Sequence, residues 1–259
     1  MAFRPASISH LAKFNSANSS DLLDMYEKYV DSKIADKNSE PPSQNFAPSS
    51  FRCKRLQWFR IRGVKPDKIK HSDRVLNFTA EIGTACHRVI QKNLSSLLGN
   101  NWISVEDFLE SNPIPYECIL ESTDSLETRV QIPELHVRFA CDGIIKLNNV
   151  FYLLEIKTSE LSSFEDLTAP KPEHIDQIKC YSAFLGISDV LFLYQERVYG
   201  GLKCYEYHVS EDARKQVLSA MKTVLELADA CIAPEGLAPG DKWCSSNYCP
   251  YYQKCKEWG

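Results

Sequence analysis

The sequence predicts a mixed α/β domain, and three observations carry that expectation. An apolar stripe at helical spacing, Ile82, Cys86, Val89, Ile90, Leu94 and Leu97, predicts a helix over about Thr79 to Leu98. Two β-branched-rich runs, one ending at Leu147 and one starting at Val150, flank Asn148-Asn149. Asn tolerates positive φ, so this pair predicts the type I′ turn of a hairpin. A second amphipathic helix, capped by Ser210, extends to about Cys231.

The remaining elements follow in order. Residues 1–36 carry weak helical patterns around Leu22, Leu23, Met25, Tyr26 and Tyr29, and the stretch from Asn38 to Ser50, with three Pro and four Ser, reads as a linker. Residues 1–48 are therefore expected to be a helical prelude and linker, and residues 49–259 the main domain. Ser50 is the expected cap of a short helix running from Phe51 towards Gly63 and carrying Cys53. A loop-rich stretch spans Trp102 to Pro115, and a strand is expected near Tyr116 to Glu121 ahead of the hairpin. Pro172 opens a helix that puts His174, Gln177 and Tyr181 on one side. Val190 to Tyr194 reads as a short strand that pairs with Lys203 to Val209 across Tyr199-Gly200-Gly201, and the tail is irregular. There are no internal repeats.

Composition narrows the function classes. A net charge of -4 argues against a protein that coats nucleic acid over its whole surface. Locally the balance reverses: Phe51 to Arg74 holds nine Lys or Arg against two Asp, interleaved with Phe51, Trp58 and Phe59. Basic groups with aromatics suit a phosphate backbone and unstacked bases, so Arg52, Lys54 and Arg55 are candidate DNA contacts. An amphipathic helix with a solvated basic face is the alternative. No segment has the length of apolar residues needed to span a membrane and the start lacks an apolar signal core, so a soluble, cytoplasmic protein is expected. Ten cysteines are many for that compartment and point to metal or cluster ligation wherever they group. Cys86, Cys118, Cys141, Cys180, Cys204 and Cys231 stand singly and read as small core residues.

The hairpin carries the chemistry. A register that sets Asn148 opposite Asn149 places Asp142 directly across from Glu155, both side chains leaving one face, with Lys157 on that face two residues on. Two carboxylates at about 5 Å repel, and a bound cation reverses that cost. Hard oxygen ligands suit Mg²⁺ or Mn²⁺, which can orient a phosphate and activate a water that Lys157 positions or deprotonates. A solvated strand face is the bland alternative.

Near the C-terminus, Cys244, Cys249 and Cys255 form a C-x4-C-x5-C run. Three thiolates need a fourth to close a tetrahedral set, and Cys53, beside basic residues, is the candidate. Zinc is one occupant, although structural zinc usually uses C-x2-C pairs; unligated buried cysteines are the other reading.

Taken together these residues resemble the RecB-like branch of the PD-(D/E)XK nuclease superfamily, and its iron-sulfur members in particular, among them the CRISPR adaptation exonucleases and the AddB-type nuclease domain. The resemblance covers about Ser49 to Cys255. Gly83-Thr-Ala-Cys-His87 looks like the helical histidine motif, Cys141-Asp142-Gly143 like the second-strand Asp motif, Glu155-Ile156-Lys157 like the E-x-K motif, and Gln177-Ile-Lys-Cys-Tyr181 like the Q-x-x-x-Y helix. The resemblance implies a restriction-endonuclease-like mixed sheet flanked by helices, with the two ends of the domain joined by a four-cysteine cluster. It implies metal ligation by His87, Asp142, Glu155 and the Ile156 carbonyl, with Gln177 and Tyr181 near DNA. It also implies a 4Fe-4S cluster on Cys53, Cys244, Cys249 and Cys255, although C-x4-C departs from the family's usual C-x2-C. The activity implied is a DNA exonuclease on single strands or ends, in phage or prokaryotic repair, recombination or CRISPR-like processing. A non-catalytic DNA-binding adaptor and an endonuclease are the alternatives. The chain has no G-x-x-x-x-G-K motif, so unwinding would come from a helicase, annealing or recombination partner.

Overall fold

A computed structural model describes residues 17–67, 73–122, 126–238 and 240–258. Residues 1–16 and 68–72, the latter part of the basic segment, lie outside the described residues. Two sheets organise the core. The larger has five strands in the order β1 (Trp102–Ile103), β5 (Gly143–Leu147), β6 (Val150–Ser159), β7 (Asp189–Glu196) and β8 (Leu202–His208). The smaller joins β2 (Ile119–Ser122), β3 (Thr128–Ile132) and β4 (Val137–Cys141). Within the larger sheet β6 and β7 are parallel, and α6 (Pro172–Leu185) lies between them in sequence; the other pairs are antiparallel. This is the mixed α/β architecture that the order of elements predicts.

The hairpin forms in the expected register. Asn148 and Asn149 have φ of 50° and 65°, and pairing runs from Leu147↔Val150 to Gly143↔Leu154. One step was not anticipated: Val137–Leu147 is not a single strand. Asp142 interrupts it, so β4 belongs to the small sheet and β5 to the large one. Gly143 opens β5 tightly under Trp102, whose ring carbon Cη2 lies 2.6 Å from where a β-carbon would stand. A side chain there has no room unless the indole moves.

Helices α3 (Asp73–Leu98) and α7 (Glu211–Asp229) match the two long amphipathic patterns, and the Ser210 hydroxyl caps α7 by accepting from the Ala213 N–H at 3.2 Å. The buried side of α3 carries Ile90 and Gln91, whereas Val89 and Leu97 point outward, so the stripe is narrower than the sequence suggests. Helix α2 (Lys54–Ile61) is capped not by Ser50 but by Cys53, whose sulfur accepts from the Leu56 N–H at 3.4 Å. The loop-rich stretch after Trp102 contains α4 (Val105–Ser111), capped by Ser104. The segment read as a linker packs: Phe46 is 1% exposed and its N–H donates to the His136 carbonyl. Two further helices are α1 (Ala17–Ser39) and α5 (Leu161–Glu165).

The tail ends in a short helix, α8 (Tyr252–Glu257), rather than remaining irregular. Its first turn is held from a distance. Asp67 accepts from the Gln253 and Lys254 N–H groups at 2.9 and 3.3 Å, pairs with Lys254 Nζ at 2.5 Å and donates its own N–H to the Pro250 carbonyl. Phe59 of α2 stacks on Tyr251 with ring centres 5.2 Å apart. Among the single cysteines, Cys141 and Cys180 are buried as expected. Cys204, on the outward face of β8, and Cys231, just past α7, are exposed and are not core residues. No helix among the described residues is long and apolar enough to cross a membrane.

Candidate active site

Asp142, Glu155 and Lys157 come together where the two sheets meet. Since the ladder ends at Gly143↔Leu154, Asp142 is not a strand partner of Glu155 but turns inward at the junction, where Oδ2 accepts from the Ile156 N–H at 2.7 Å. The N–H and C=O of a strand residue leave the same edge, so the Ile156 carbonyl also faces the gap that β5 vacates. Asp142 is 6% exposed and Glu155 1%. Alternation on β6 brings Lys157 beside Glu155, with Nζ 2.5 Å from Oε1.

Helix α3 supplies two contacts one turn apart. His87 Nδ1 lies 3.3 Å from Asp142 Oδ1, and Gln91 Nε2 donates to the Asp142 carbonyl at 2.8 Å. Gln91 was not singled out beforehand as a site residue. Its spacing of four from His87 was the available signal. From α6, Gln177 accepts from Lys157 Nζ at 3.1 Å and donates to the Tyr181 hydroxyl at 2.7 Å. Tyr181 does not face solvent: it is 6% exposed and stacks on Phe139 with ring centres 4.6 Å apart. It reaches the site through Gln177.

The electrostatics follow from burial. Desolvation, helped by Asp142 and opposed by Lys157 and His87, pushes the Glu155 carboxyl up to about 7. Burial disfavours the charged forms of Lys157 and His87, yet the carboxylates beside them outweigh it and raise both pKa values. The patch therefore holds two buried acids, of which Glu155 is disfavoured as a carboxylate, a cationic lysine and an imidazole. Among the described residues no three His, Cys, Asp or Glu side chains are arranged to hold a metal ion, here or at the cysteines. In this geometry Lys157, His87 and the Ile156 N–H take the carboxylate oxygens. The donor set nonetheless fits a hard cation: two buried carboxylates whose mutual repulsion an ion would relieve, with an imidazole and a strand carbonyl adjacent.

A cavity of about 360 Å³ is lined by Lys157, His174 and Gln177 and also by Cys53, Cys244, Cys249 and Cys255. All four cysteines are free thiols. Burial above all, with the Cys53, Cys244 and Cys255 sulfurs adding to it against the Tyr251 N–H, pushes the Cys249 thiol up to about 11. One nitrogen donor contacts the group and a second borders the same cavity. Arg55 Nη1 lies 3.7 Å from Cys255 Sγ, and Trp243 Nε1 is buried with no partner among the described residues. Orphan buried donors are rare and often mark an unseen acceptor.

The three basic residues expected at DNA separate. Arg52 is exposed at the cavity, 3.7 Å from Asp176. Lys54 faces α7, lining a groove with Asp212 and Lys215. Arg55 donates to the Pro234 carbonyl at 2.7 Å and lies 3.7 Å from Cys255 Sγ.

No protein-family model matches the chain, and none of the curated proteins matches it. Among solved structures, the crystal structure of SSO0001 is similar over 89% of this chain and 96% of that one, at 15% identity and a TM-score of 0.49. An alkaline exonuclease (LHK-Exo) from Laribacter hongkongensis is similar over 73% of this chain and 90% of that one, at 14% identity and a TM-score of 0.39. The functional reading below rests on the geometry of the site.

Proposed function

We propose that the protein is a divalent-cation-dependent deoxyribonuclease that hydrolyses phosphodiester bonds in single strands or at DNA ends. The observation that carries this reading is the convergence of Asp142, Glu155, Lys157 and His87 on one buried patch, of which Lys157 lines a cavity. His87, Asp142, Glu155 and the Ile156 carbonyl would hold Mg²⁺ or Mn²⁺, and the imidazole tilts the preference to Mn²⁺. When bound, the ion supplies Lewis acidity towards a phosphate oxygen and its attacking water. Lys157, fixed between Glu155 and Gln177, directs an N–H at that water and brings positive charge to the phosphate. Gln177 and Tyr181 hold the lysine from behind, and Arg52 at the rim meets the strand's backbone.

For the four thiols the reading is a 4Fe-4S cluster, with zinc as the alternative. The fit is supported by the shared cavity and by the Arg55 N–H at Cys255, since hydrogen bonds to sulfur stabilise anionic clusters. A helicase, annealing or recombination partner would present the DNA.

The test is cleavage of 5′- and 3′-labelled strands with Mn²⁺. Wild type is expected to cut. Lys157→Ala should lose about 10²–10⁴-fold in rate while retaining DNA binding, the range for removal of a positioned acid–base group. Undiminished cleavage by that variant sinks the assignment, and digestion of closed circular single strands would make the enzyme an endonuclease. The purified protein should be brown, and Cys249→Ser should lose the visible absorption; a colourless protein with stoichiometric zinc selects zinc.

A further inference from the structure

His174 stands one helical turn before Gln177 on α6 and lines the same cavity as Lys157, yet the reading above gives it no task. Its Nδ1 lies 2.8 Å from the Tyr194 hydroxyl, to which the Lys171 N–H also donates at 3.1 Å. Tyr194 is 1% exposed, and its own proton has no other acceptor among the described residues. The hydroxyl therefore accepts from Lys171 and donates to Nδ1. That fixes the tautomer: the ring proton sits on Nε2. Burial, with Lys157 and Lys171 nearby, holds the ring neutral by lowering its pKa to about 3. Nε2–H is left as a donor with no protein acceptor among the described residues.

A fixed, uncharged donor beside a lysine calls for an acceptor that carries negative charge. Glu173 also lines the cavity, but it is the adjacent residue on the helix, and adjacent residues do not face each other. Asp176, on the same helix, is already paired with Arg52 and Lys179. We propose that His174 contacts the substrate, its Nε2–H donating to a non-bridging phosphate oxygen of the bound strand next to Lys157. This rests on the nuclease reading and deepens it, because it names the wall of the cavity along which the strand runs. His174 is then a binding residue for the strand, and Tyr194 positions it by holding the tautomer.

The test combines two measurements on the full chain: anisotropy of a labelled single-stranded oligonucleotide in EDTA, which stops cleavage, and cleavage kinetics with Mn²⁺. His174→Ala should weaken oligonucleotide binding and raise KM by about tenfold or more, as for a lost hydrogen bond to a charged group, and move kcat less. His174→Gln, whose amide N–H extends to a similar reach, should recover most of the loss. Tyr194→Phe frees the ring to take either tautomer and should cost less, about two- to fourfold, since the donor is retained part of the time. Unchanged affinity in His174→Ala overturns the proposal. So does a Tyr194→Phe loss as large as that of His174→Ala, because the pair would then be a packing strut. Should wild type bind the oligonucleotide but not cut it, the nuclease reading fails, and the affinity series still decides whether His174 touches DNA. Absence of binding by wild type overturns both.

Discussion

The carboxylate patch, through Lys157, and the cysteine group border one cavity and are built in opposite ways. Asp142, Glu155 and Lys157 are close in sequence and are fixed by a hairpin whose turn residues set the register. The four thiols come from both ends of the domain, and the segment carrying three of them is clasped by side chains: Asp67 on the start of α8, Phe59 on Tyr251, Arg55 on Pro234 and Cys255. A strand ladder places groups through many backbone bonds at once, whereas a clasp depends on a few side chains and fails when one is lost. The difference teaches where each group is vulnerable. The acid patch answers to the backbone that places it, and the sulfur group to side chains that never touch sulfur.

The largest expected effect is at the acid patch and is purely chemical. Asp142→Asn keeps an acceptor for the Ile156 N–H and so should preserve the fold, yet cleavage should fall by about 10²–10⁴-fold. Thermal unfolding alongside the cleavage assay checks both halves. A variant that cut normally would show that the patch is structural. Gly143→Ala comes next. Its β-carbon would displace the Trp102 ring, and overpacking of this kind costs about 1–3 kcal/mol, read as a lowered midpoint in urea. Because the shift starts one residue from Asp142, cleavage should fall with it.

The smallest effect tests the clasp. Asp67→Ala should cost about 1 kcal/mol, as for a lost helix cap, with faster proteolysis around α8 and an unchanged hairpin. Burial works against the Asp67 carboxylate, but Lys254 and the two N–H groups outweigh it and hold its pKa below the ordinary value. A depressed carboxyl contributes stability that is present above its unfolded pKa of about 4 and lost as pH falls through the folded one. Hydrogen exchange of α8 should therefore rise in acid below about pH 4 in wild type, and Asp67→Asn should remove that step.

The contrast also explains what was legible in the sequence. Asn148-Asn149, Ser210 and Pro172 act on near neighbours, so the turn, the α7 cap and the start of α6 could be read directly. Asp142 does come beside Glu155-Ile156-Lys157, but not as the strand partner that the hairpin register predicts. Alternation treats Val137–Leu147 as one strand, and nothing local announces that the chain changes sheets there. Arg55 was read as a DNA contact because its neighbours are basic; its partners, Pro234 and Cys255, are remote, and no periodicity encodes them. Tyr181 has the polar tip of a surface residue, but Phe139 from the small sheet claims its ring.

The change of sheets at Asp142 has a consequence for how the site is tuned. One residue is at once a buried acid and the covalent step between β4 and β5. The small sheet, with its outward Arg129, Arg138 and Glu121 ion pairs, is therefore joined directly to that acid. On the proposed nuclease reading, substitutions on that surface, in residues that would touch neither ion nor DNA, gain a route to the spacing of the carboxylates.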